Sequence, residues 1–354
     1  MDVQLVLAFL GGLALLIGGA EMMVRGAVGA ARVAGISPLV VGLTVVAFGT
    51  SSPELAVSSW AAWSAQAPIG LGNVIGSNIF NILFILGLSA LITPLAVSRQ
   101  LIIFDVPLMI AASVLVLLLG ADGTISRIEG IGLFLASIAY TVWVVRKSRR
   151  EQETAPAPAG RTMSLPLAMI LIGLGVVLLV VGSQWFVDGA SAIARLLGIS
   201  ELMIGLTIVA IGTSLPEIAT SVVASLRKER DIAVGNIIGS NLFNLLFVLG
   251  AATTISPAGF DVSAEVQQFD LPVMVAVAVL VLPIFFTGGR VSRWEGMLLL
   301  MFYVAFSLTL IMQATGDPRL PAFAWVMTRI VIPLTCLGLG VRVVQEARAL
   351  KRPQ

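Results

Sequence analysis

The sequence predicts an all-α polytopic membrane protein: two inverted-topology repeats of five transmembrane helices, plus one extra C-terminal helix. Two observations support this prediction. First, 58% of the 354 residues are hydrophobic and only 11% are charged, whereas about 25% are charged in soluble domains. Second, residues 49–87 and 212–250 share 21 of 39 positions at a constant offset of 163 residues. Duplicated polar patterns inside apolar segments are typical of inverted-repeat membrane proteins with a binding site where the repeats meet.

Eleven apolar segments are long enough to cross a hydrocarbon core of about 30 Å, which takes about 20 helical residues. The first has neither a basic n-region nor a small-residue cleavage site, so we expect it to be a retained transmembrane helix. The segments lie near residues 3–24, 38–63, 70–92, 102–120, 129–146, 165–186, 202–226, 232–254, 269–287, 294–313 and 322–344.

The repeat extends beyond the first motif and defines the domain boundaries. The tetrapeptide F-D-V-P at residues 104–107 recurs as F-D-L-P at 269–272, and S-R-I-E-G at 126–130 recurs as S-R-W-E-G at 292–296. The hydrophilic break between the repeats has the composition of a flexible linker. We therefore expect a first repeat over residues 1–146, a cytoplasmic linker over 147–163, a second, inverted repeat over 164–313, and an extra helix with a cytoplasmic tail over 314–354.

The basic residues predict the orientation of the chain. With the N-terminus outside, 17 Lys and Arg residues lie in cytoplasmic loops and the tail, against three outside, Arg127, Arg195 and Arg319. The positive-inside rule therefore favours an external N-terminus and a cytoplasmic C-terminus in the cell membrane. Because each repeat has an odd number of spans, the second repeat is inverted, and Glu54 and Glu217 lie on antiparallel helices.

Glu54 and Glu217 lie near the middle of the second and seventh spans. An ionised carboxylate at that depth costs at least about 2.5–3.5 kcal/mol, so such residues usually face a partner or a water-filled path. The alternative is a protonated glutamate in a structural interhelical hydrogen bond. The first interpretation is favoured because the polar surroundings are duplicated and follow i, i+3, i+4 steps on two helices. The duplicated pairs are Thr50/Thr213, Ser51/Ser214, Ser77/Ser240 and Asn81/Asn244.

Each glutamate directly follows a proline, Pro53 or Pro216. A proline inside a helix has no amide hydrogen to donate and breaks the helix, so carbonyl oxygens near Ala47 and Ala210 are expected to turn inward. Together these groups form an all-oxygen ligand set with two negative charges, which suits Ca²⁺ better than Mg²⁺. An empty cage with two desolvated carboxylates is costly to occlude, so obligatory exchange is favoured over uniport.

The paired motifs G-T-S-x-P-E and G-N-x-x-G-S-N-x-F-N resemble those of the cation/calcium exchanger superfamily, and the short loops resemble its prokaryotic sodium/calcium exchangers. The resemblance covers spans one to ten and implies that long, tilted spans one and six slide across the other eight to alternate access. It implies a calcium:sodium antiporter with Ca²⁺ and Na⁺ as substrates. Several members carry Asp where this chain has Asn244, and the eleventh span is additional. The implied ligands are Ala47, Thr50, Ser51, Glu54, Ser77, Asn81, Ala210, Thr213, Ser214, Glu217, Ser240 and Asn244.

Two other functions remain open from the residues. A calcium:proton antiporter of the same fold would use the glutamates as proton carriers, although hydroxyl groups beside each glutamate favour Na⁺. An intramembrane hydrolase could use the carboxylates as acid and base, but it would not need symmetric hydroxyl cages. We expect no enzyme, no cofactor and no nucleic-acid partner. The chain lacks histidine, which disfavours transition-metal sites.

The eleventh span carries two residues without an assigned role. Cys336 is the single cysteine and is expected to be a small buried packing residue. Arg329 lies inside the span, where it either snorkels to the membrane surface or pairs with another group. The protein is expected to be a monomer or a homo-oligomer in the lipid bilayer.

Overall fold

The computed structural model describes residues 3–64, 66–153, 163–198, 204, 208 and 210–350. These residues form helices joined by short loops, with four two-residue strands in the described loops. The helices are α1 (Val3–Ala34), α2 (Pro38–Thr50), α3 (Ser52–Trp63), α4 (Pro68–Ile92), α5 (Leu101–Asp122), α6 (Arg127–Glu153), α7 (Leu165–Leu196), α8 (Ala210–Gly212), α9 (Leu215–Leu226), α10 (Arg230–Ile255), α11 (Val266–Phe286), α12 (Arg293–Thr315) and α13 (Leu320–Arg348).

The helices agree with the predicted all-α membrane fold. Within the described residues, nine helices are long and apolar enough to cross a membrane, and α2 with α3 forms a tenth span that bends by 49°. The predicted seventh span, 202–226, corresponds to α8 and α9, and residues 202, 203, 205–207 and 209 lie outside the described chain. Helix α6 continues to Glu153, into the segment predicted to be a linker, of which residues 154–162 lie outside the described chain.

Helices α1 and α7, at 32 residues each, are the long helices that the resemblance implies, and both continue beyond the ends predicted from apolar length. A helix of that length spans about 48 Å, whereas a hydrocarbon core is about 30 Å thick. The predicted spans ended near residues 24 and 186 because polar residues begin there, but both helices continue through them. Helices this long cross the bilayer at a tilt or extend beyond it.

Two short β-ladders connect the repeats at their loops. Strand β1 (Leu95–Ala96) pairs with β4 (Arg290–Val291), and β2 (Thr124–Ile125) pairs with β3 (Phe260–Asp261). Strands β1 and β3 follow equivalent helices of the two repeats, yet they belong to different ladders. This arrangement is expected if equivalent loops lie on opposite sides of the membrane. The pairing of the strands therefore agrees with two inverted repeats related by a pseudo-two-fold axis.

Helices α1 and α7 are in direct backbone contact along a row of glycines. A Cβ atom added to Gly19 would lie 2.9 Å from the carbonyl oxygen of Gly175, and one added to Gly182 would lie 2.9 Å from that of Gly12. Small residues allow such close approach between membrane helices. The row repeats every seven residues and consists of Gly12, Gly19 and Gly26 on α1, and Gly175, Gly182 and Gly189 on α7.

The glycine row predicts different effects of the same substitution at two neighbouring positions. Gly19→Ala should lower the free energy of unfolding by about 1–3 kcal/mol, because the new methyl group overlaps the α7 backbone. Gly18→Ala is the matched control, since a Cβ there meets no atom within 4 Å, and it should be neutral or slightly stabilising because alanine favours helix. Thermal unfolding of both variants in detergent measures the difference. Equal midpoints would contradict the proposed contact.

Candidate ion-binding site

Helices α2 and α3 meet at Ser51 in a bend of 49°. Pro53, the second residue of α3, has no amide hydrogen, so the carbonyl oxygen of Gly49 loses its helical donor. The Ala47 carbonyl, predicted to turn inward, accepts a hydrogen bond from the Ser51 amide at 3.0 Å and lies 3.3 Å from the Thr50 hydroxyl. The bend therefore leaves the Ala47 carbonyl hydrogen-bonded. The oxygen that loses its donor is the one closer to the proline, at Gly49. The surroundings of Ala210 lie outside the described part of the chain.

The two glutamates are held by serines from the opposite repeat. The Ser51 hydroxyl donates to Glu217 Oε1 at 2.8 Å, and the Ser214 hydroxyl donates to Glu54 Oε1 at 2.9 Å. Ser77 donates a weaker bond to the same Glu54 oxygen at 3.4 Å. All five side chains are buried. The two shorter bonds cross between the repeats, whereas Ser77 belongs to the same repeat as Glu54, so each carboxylate takes its closest serine from the other repeat.

A second crossed pair positions the threonine hydroxyls. Thr50 Oγ1 donates to Asn236 Oδ1 at 3.1 Å and lies 3.5 Å from the Ser240 hydroxyl. Thr213, which is half-buried, donates to Asn73 Oδ1 at 3.4 Å. These contacts link each threonine to the G-N-x-x-G-S-N motif of the other repeat.

Sequence reasoning missed the role of the two asparagines and of the serines behind them. Asn73 Nδ2 donates to Ser58 Oγ at 3.0 Å, and Asn236 Nδ2 donates to Ser221 Oγ at 2.9 Å. The signal was present, because all four residues are duplicated at the offset of 163. They lie behind the threonines rather than beside the glutamates, so they support the site from outside.

Several buried polar atoms in the site lack a partner within the described chain. They include the second carboxylate oxygen of Glu54 and of Glu217, Asn81 Oδ1, and both side-chain polar atoms of Asn244. The remaining buried atoms without a partner are serine and threonine hydroxyl oxygens in other parts of the described chain. Buried polar atoms are nearly always hydrogen-bonded, so this concentration of free acceptor oxygens requires a cause. Bound cations would satisfy them.

The two asparagines predicted as ligands are equivalent in sequence but differ in their bonds. Asn81 donates through Nδ2 to Asn241 Oδ1 at 3.2 Å. The equivalent partner of Asn244 would be Asn78, which instead donates to the carbonyl of Val74 at 2.7 Å. Asn244 is fully buried and has no such bond within the described residues. The repeats are therefore not identical at this position.

The structure brings most of the predicted ligands into one hydrogen-bonded cluster. No group of three or more His, Cys, Asp or Glu side chains occurs close together in the described part of the chain. The cluster therefore contains two carboxylates among neutral oxygens, which is the composition of a hard-cation site. Its members are Thr50, Ser51, Glu54, Ser77, Ser214, Glu217 and Ser240, with Thr213 attached through Asn73, and with Asn81 and Asn244 buried further along α4 and α10.

Comparison with known proteins identifies the family. A family model described as "Sodium/calcium exchanger protein" matches residues 4–146 and 167–312. The chain belongs to the sodium/calcium exchanger family. It is a multi-pass membrane antiporter of the sodium/calcium exchanger type, and in this family Ca²⁺ and Na⁺ are transported substrates rather than cofactors. The match ends before α13, so the eleventh span lies outside the family model.

Individual relatives cover most of this exchanger. Sodium/calcium exchanger MaX1 from Methanosarcina acetivorans is 33% identical over 339 residues, covering 84% of this chain and 96% of that protein. Inner membrane protein YrbG from Escherichia coli is 37% identical over 274 residues, covering 75% and 84%. The solved structure of the sodium–calcium exchanger NCX_Mj, soaked with zero Na⁺ and Ca²⁺, superposes with a TM-score of 0.75 at 34% identity, covering 88% of this chain and all of that one.

The unpartnered amide of Asn244 predicts opposite effects on stability and transport. Leucine has nearly the shape of asparagine, so Asn244→Leu should raise the free energy of unfolding by about 1–3 kcal/mol, the cost of a buried unsatisfied polar group. The same change should lower Ca²⁺ flux, because it removes an oxygen from the cluster. Thermal unfolding in ion-free detergent and flux in proteoliposomes measure the two effects. Asn81→Leu is the comparison, because it breaks an existing bond and should not be stabilising.

Proposed function

We propose that this exchanger is a calcium:sodium antiporter that moves Ca²⁺ out of the cell as Na⁺ enters. One observation supports this proposal most directly. Two carboxylates lie in an otherwise neutral buried cluster where the repeats meet, each with one oxygen bonded to a crossed serine and one oxygen unbonded. Free carboxylate oxygens in a buried site call for a cation.

The chemistry of the cluster favours Ca²⁺. This ion takes about 6–8 oxygen ligands in flexible geometry, and two ionised glutamates balance its charge. The hydroxyls beside each glutamate supply further neutral oxygens, which Na⁺ needs and H⁺ does not. The Ala47 carbonyl oxygen keeps a second lone pair beside its helical hydrogen bond, so it can still contact an ion. We propose the following ion ligands: Ala47, Thr50, Ser51, Glu54, Ser77, Asn81, Ala210, Thr213, Ser214, Glu217, Ser240 and Asn244.

An asymmetry between the repeats supports alternating access. Helix α1 packs along α9, the helix that carries Glu217, whereas the equivalent pair α7 and α3 makes few contacts. Glu21 on α1 forms an ion pair of 2.7 Å with Arg227 at the end of α9. One end of the site is therefore covered more closely than the other. We propose that the opposite arrangement, with α7 on α3, is the second state of the cycle.

The proposed orientation follows from charge. The ion pair between Glu21 and Arg227 lies at the end of the bundle where the loops are rich in Lys and Arg. The positive-inside rule makes this end cytoplasmic. In the proposed scheme the structure is thus closed towards the cytoplasm, in a cell membrane with the N-terminus outside.

The coupling ion is tested by Ca²⁺ uptake into proteoliposomes. An outward Na⁺ gradient should drive uptake, and a pH gradient of equal size should not. Glu54→Gln and Glu217→Gln should each abolish uptake, because an amide leaves one positive charge of Ca²⁺ uncompensated in a low-dielectric site. Glu129→Gln is the matched control, since Glu129 caps α6 by bonding to Ser126, and glutamine fills the same capping role.

The outcomes separate the candidate functions. Uptake driven by the pH gradient alone would support the calcium:proton antiporter and would contradict the Na⁺ proposal. Normal uptake in either of the two site variants would contradict the assignment of the glutamates. Loss of uptake in all three variants, including Glu129→Gln, would point to general damage rather than to the site.

Charge counting predicts the voltage dependence of exchange. With two carboxylates, one bound Ca²⁺ makes the cage neutral, and three Na⁺, the number that the family resemblance implies, leave it with a charge of about +1. Moving that charge across the membrane changes the free energy by about 2.3 kcal/mol per 100 mV of membrane potential. Ca²⁺ uptake by Na⁺-loaded vesicles should therefore change with a potential clamped by valinomycin and K⁺. A flux that does not respond would instead indicate electroneutral exchange of two Na⁺ for one Ca²⁺.

A further inference from the structure

Helix α13 is the eleventh span and lies outside the part of the chain that matches the exchanger family. It packs against the bundle along one face, on which Phe323, Met327, Val331 and Thr335 are half-buried and Leu339 is buried. Near its cytoplasmic end, Arg342 lies 4.3 Å from the ring centroid of Trp294 and 3.5 Å from the buried Glu295. These contacts determine which face of α13 meets the bundle and which face points away from it.

Arg329 points away from the bundle at membrane depth. It is exposed, and it forms no hydrogen bond, ion pair or ring contact with the described part of the chain. It follows Leu320, the first residue of the span, by nine positions, or about 14 Å along the helix axis. That depth is close to the middle of a core about 30 Å thick. An arginine there is costly unless it pairs with another group or with backbone carbonyls.

The backbone of α13 offers unbonded acceptors beside the arginine. Residues Met327–Val331 form a π-helical segment, in which the Ile332 amide donates to the Met327 carbonyl. The Thr328 carbonyl therefore loses its usual α-helical donor. Pro333 has no amide hydrogen, so the Arg329 carbonyl loses its donor as well. One layer of the helix surface thus carries an unpaired cation and two carbonyl oxygens without their α-helical partners.

The same face carries an aromatic ring and several small residues. Trp325, one turn before Arg329, is 58% exposed. Ala322, Cys336 and Gly340 are exposed and follow the i, i+3, i+4 spacing of this face. Cys336 was expected to be buried, but it faces away from the bundle because the packed face of α13 runs through Thr335 and Leu339. Small residues allow a second helix to approach closely.

We propose that this face binds a second copy of the chain through a two-fold interface between the two α13 helices. Side chains on a helix point towards its N-terminus, so the Arg329 guanidinium is directed to the level of Trp325. In a parallel pair it reaches the indole face of Trp325 of the second copy, and the second copy makes the same contact in return. A cation–π contact out of water is stronger than one at an exposed site.

A second copy explains the face better than a lipid headgroup does. A two-fold interface requires the same surface to contain both contacting groups, and this face contains both the cation and the ring. A lipid phosphate beyond Leu320 would lie about 7.5 Å or more along the helix axis from the level that the guanidinium reaches, whereas the Trp325 ring of a second copy lies at that level. The part of the chain that matches the family is not involved, so the interface is a property of the additional span.

The single cysteine provides the test. In membranes containing the full-length protein, copper phenanthroline should join Cys336 to Cys336 of the second copy, giving a band of doubled mass that reductant reverses. Cys336→Ser should remove the band. The matched control adds Leu334→Cys to Cys336→Ser, because Leu334 is 61% exposed but points to another side of the helix. It should cross-link much less at the same protein density.

Two further variants test the contact itself. Arg329→Leu and Trp325→Leu should each weaken the dimer about tenfold or more, because two symmetry-related cation–π contacts are lost together. Dilution with lipid and counting of subunits per vesicle measures this change. The ion-binding cluster lies within each copy, so the Ca²⁺ flux of the variants should be unchanged.

Three results would overturn the proposal. The first is equal cross-linking from positions 334 and 336, which would indicate random collision. The second is a dimer that Arg329→Leu does not weaken, which would mean that Arg329 reaches the membrane surface or lies elsewhere. The third is a cross-link from Cys336 to a different protein in native membranes, which would replace the second copy by another partner.

Discussion

The cost of burying two carboxylates at membrane depth determines how the rest of the protein is built. Glu54 and Glu217 are almost completely buried, and each needs donors that water would otherwise supply. Hydroxyl groups are suitable because they donate one hydrogen bond and keep lone pairs for a cation. The bent helix that carries Ser51 and the breaks before Pro53 and Pro216 place such hydroxyls next to the acids. The glycines and ladders then hold the two repeats in register around this cluster.

The crossed hydrogen bonds make the site a joint property of both repeats. Ser51 and Ser214 each serve the glutamate of the other repeat, and Asn73 and Asn236 each serve the threonine of the other repeat. One repeat alone would contain a carboxylate without its main donor. The pseudo-two-fold axis therefore passes through the ion-binding cluster. Both copies of the motif must be retained for either glutamate to be stabilised.

Most of the fold and the centre of the site could be predicted from the sequence. Apolar length identifies spans because the bilayer imposes it, and the constant offset identifies equivalent residues. The pairing could not be predicted, since a repeated motif does not reveal whether Ser51 contacts Glu54 or Glu217. The ends of α1 and α7 were missed because both helices continue through polar residues, although the resemblance implied that these helices are long. The bonds of the Ala47 carbonyl and the outward direction of Cys336 depend on local helix geometry that spacing alone does not specify.

The glycine row between α1 and α7 has a mechanical consequence. Its spacing of seven residues corresponds to about 10.5 Å along a helix. A relative slide smaller than that would push a larger side chain of one helix into the backbone of the other, because no space for a side chain exists at the contact. Only displacement by a whole heptad would place glycine against glycine again. Helices α1 and α7 therefore cannot slide along each other in small steps and behave as one rigid unit. Any motion against the bundle carries both of them together.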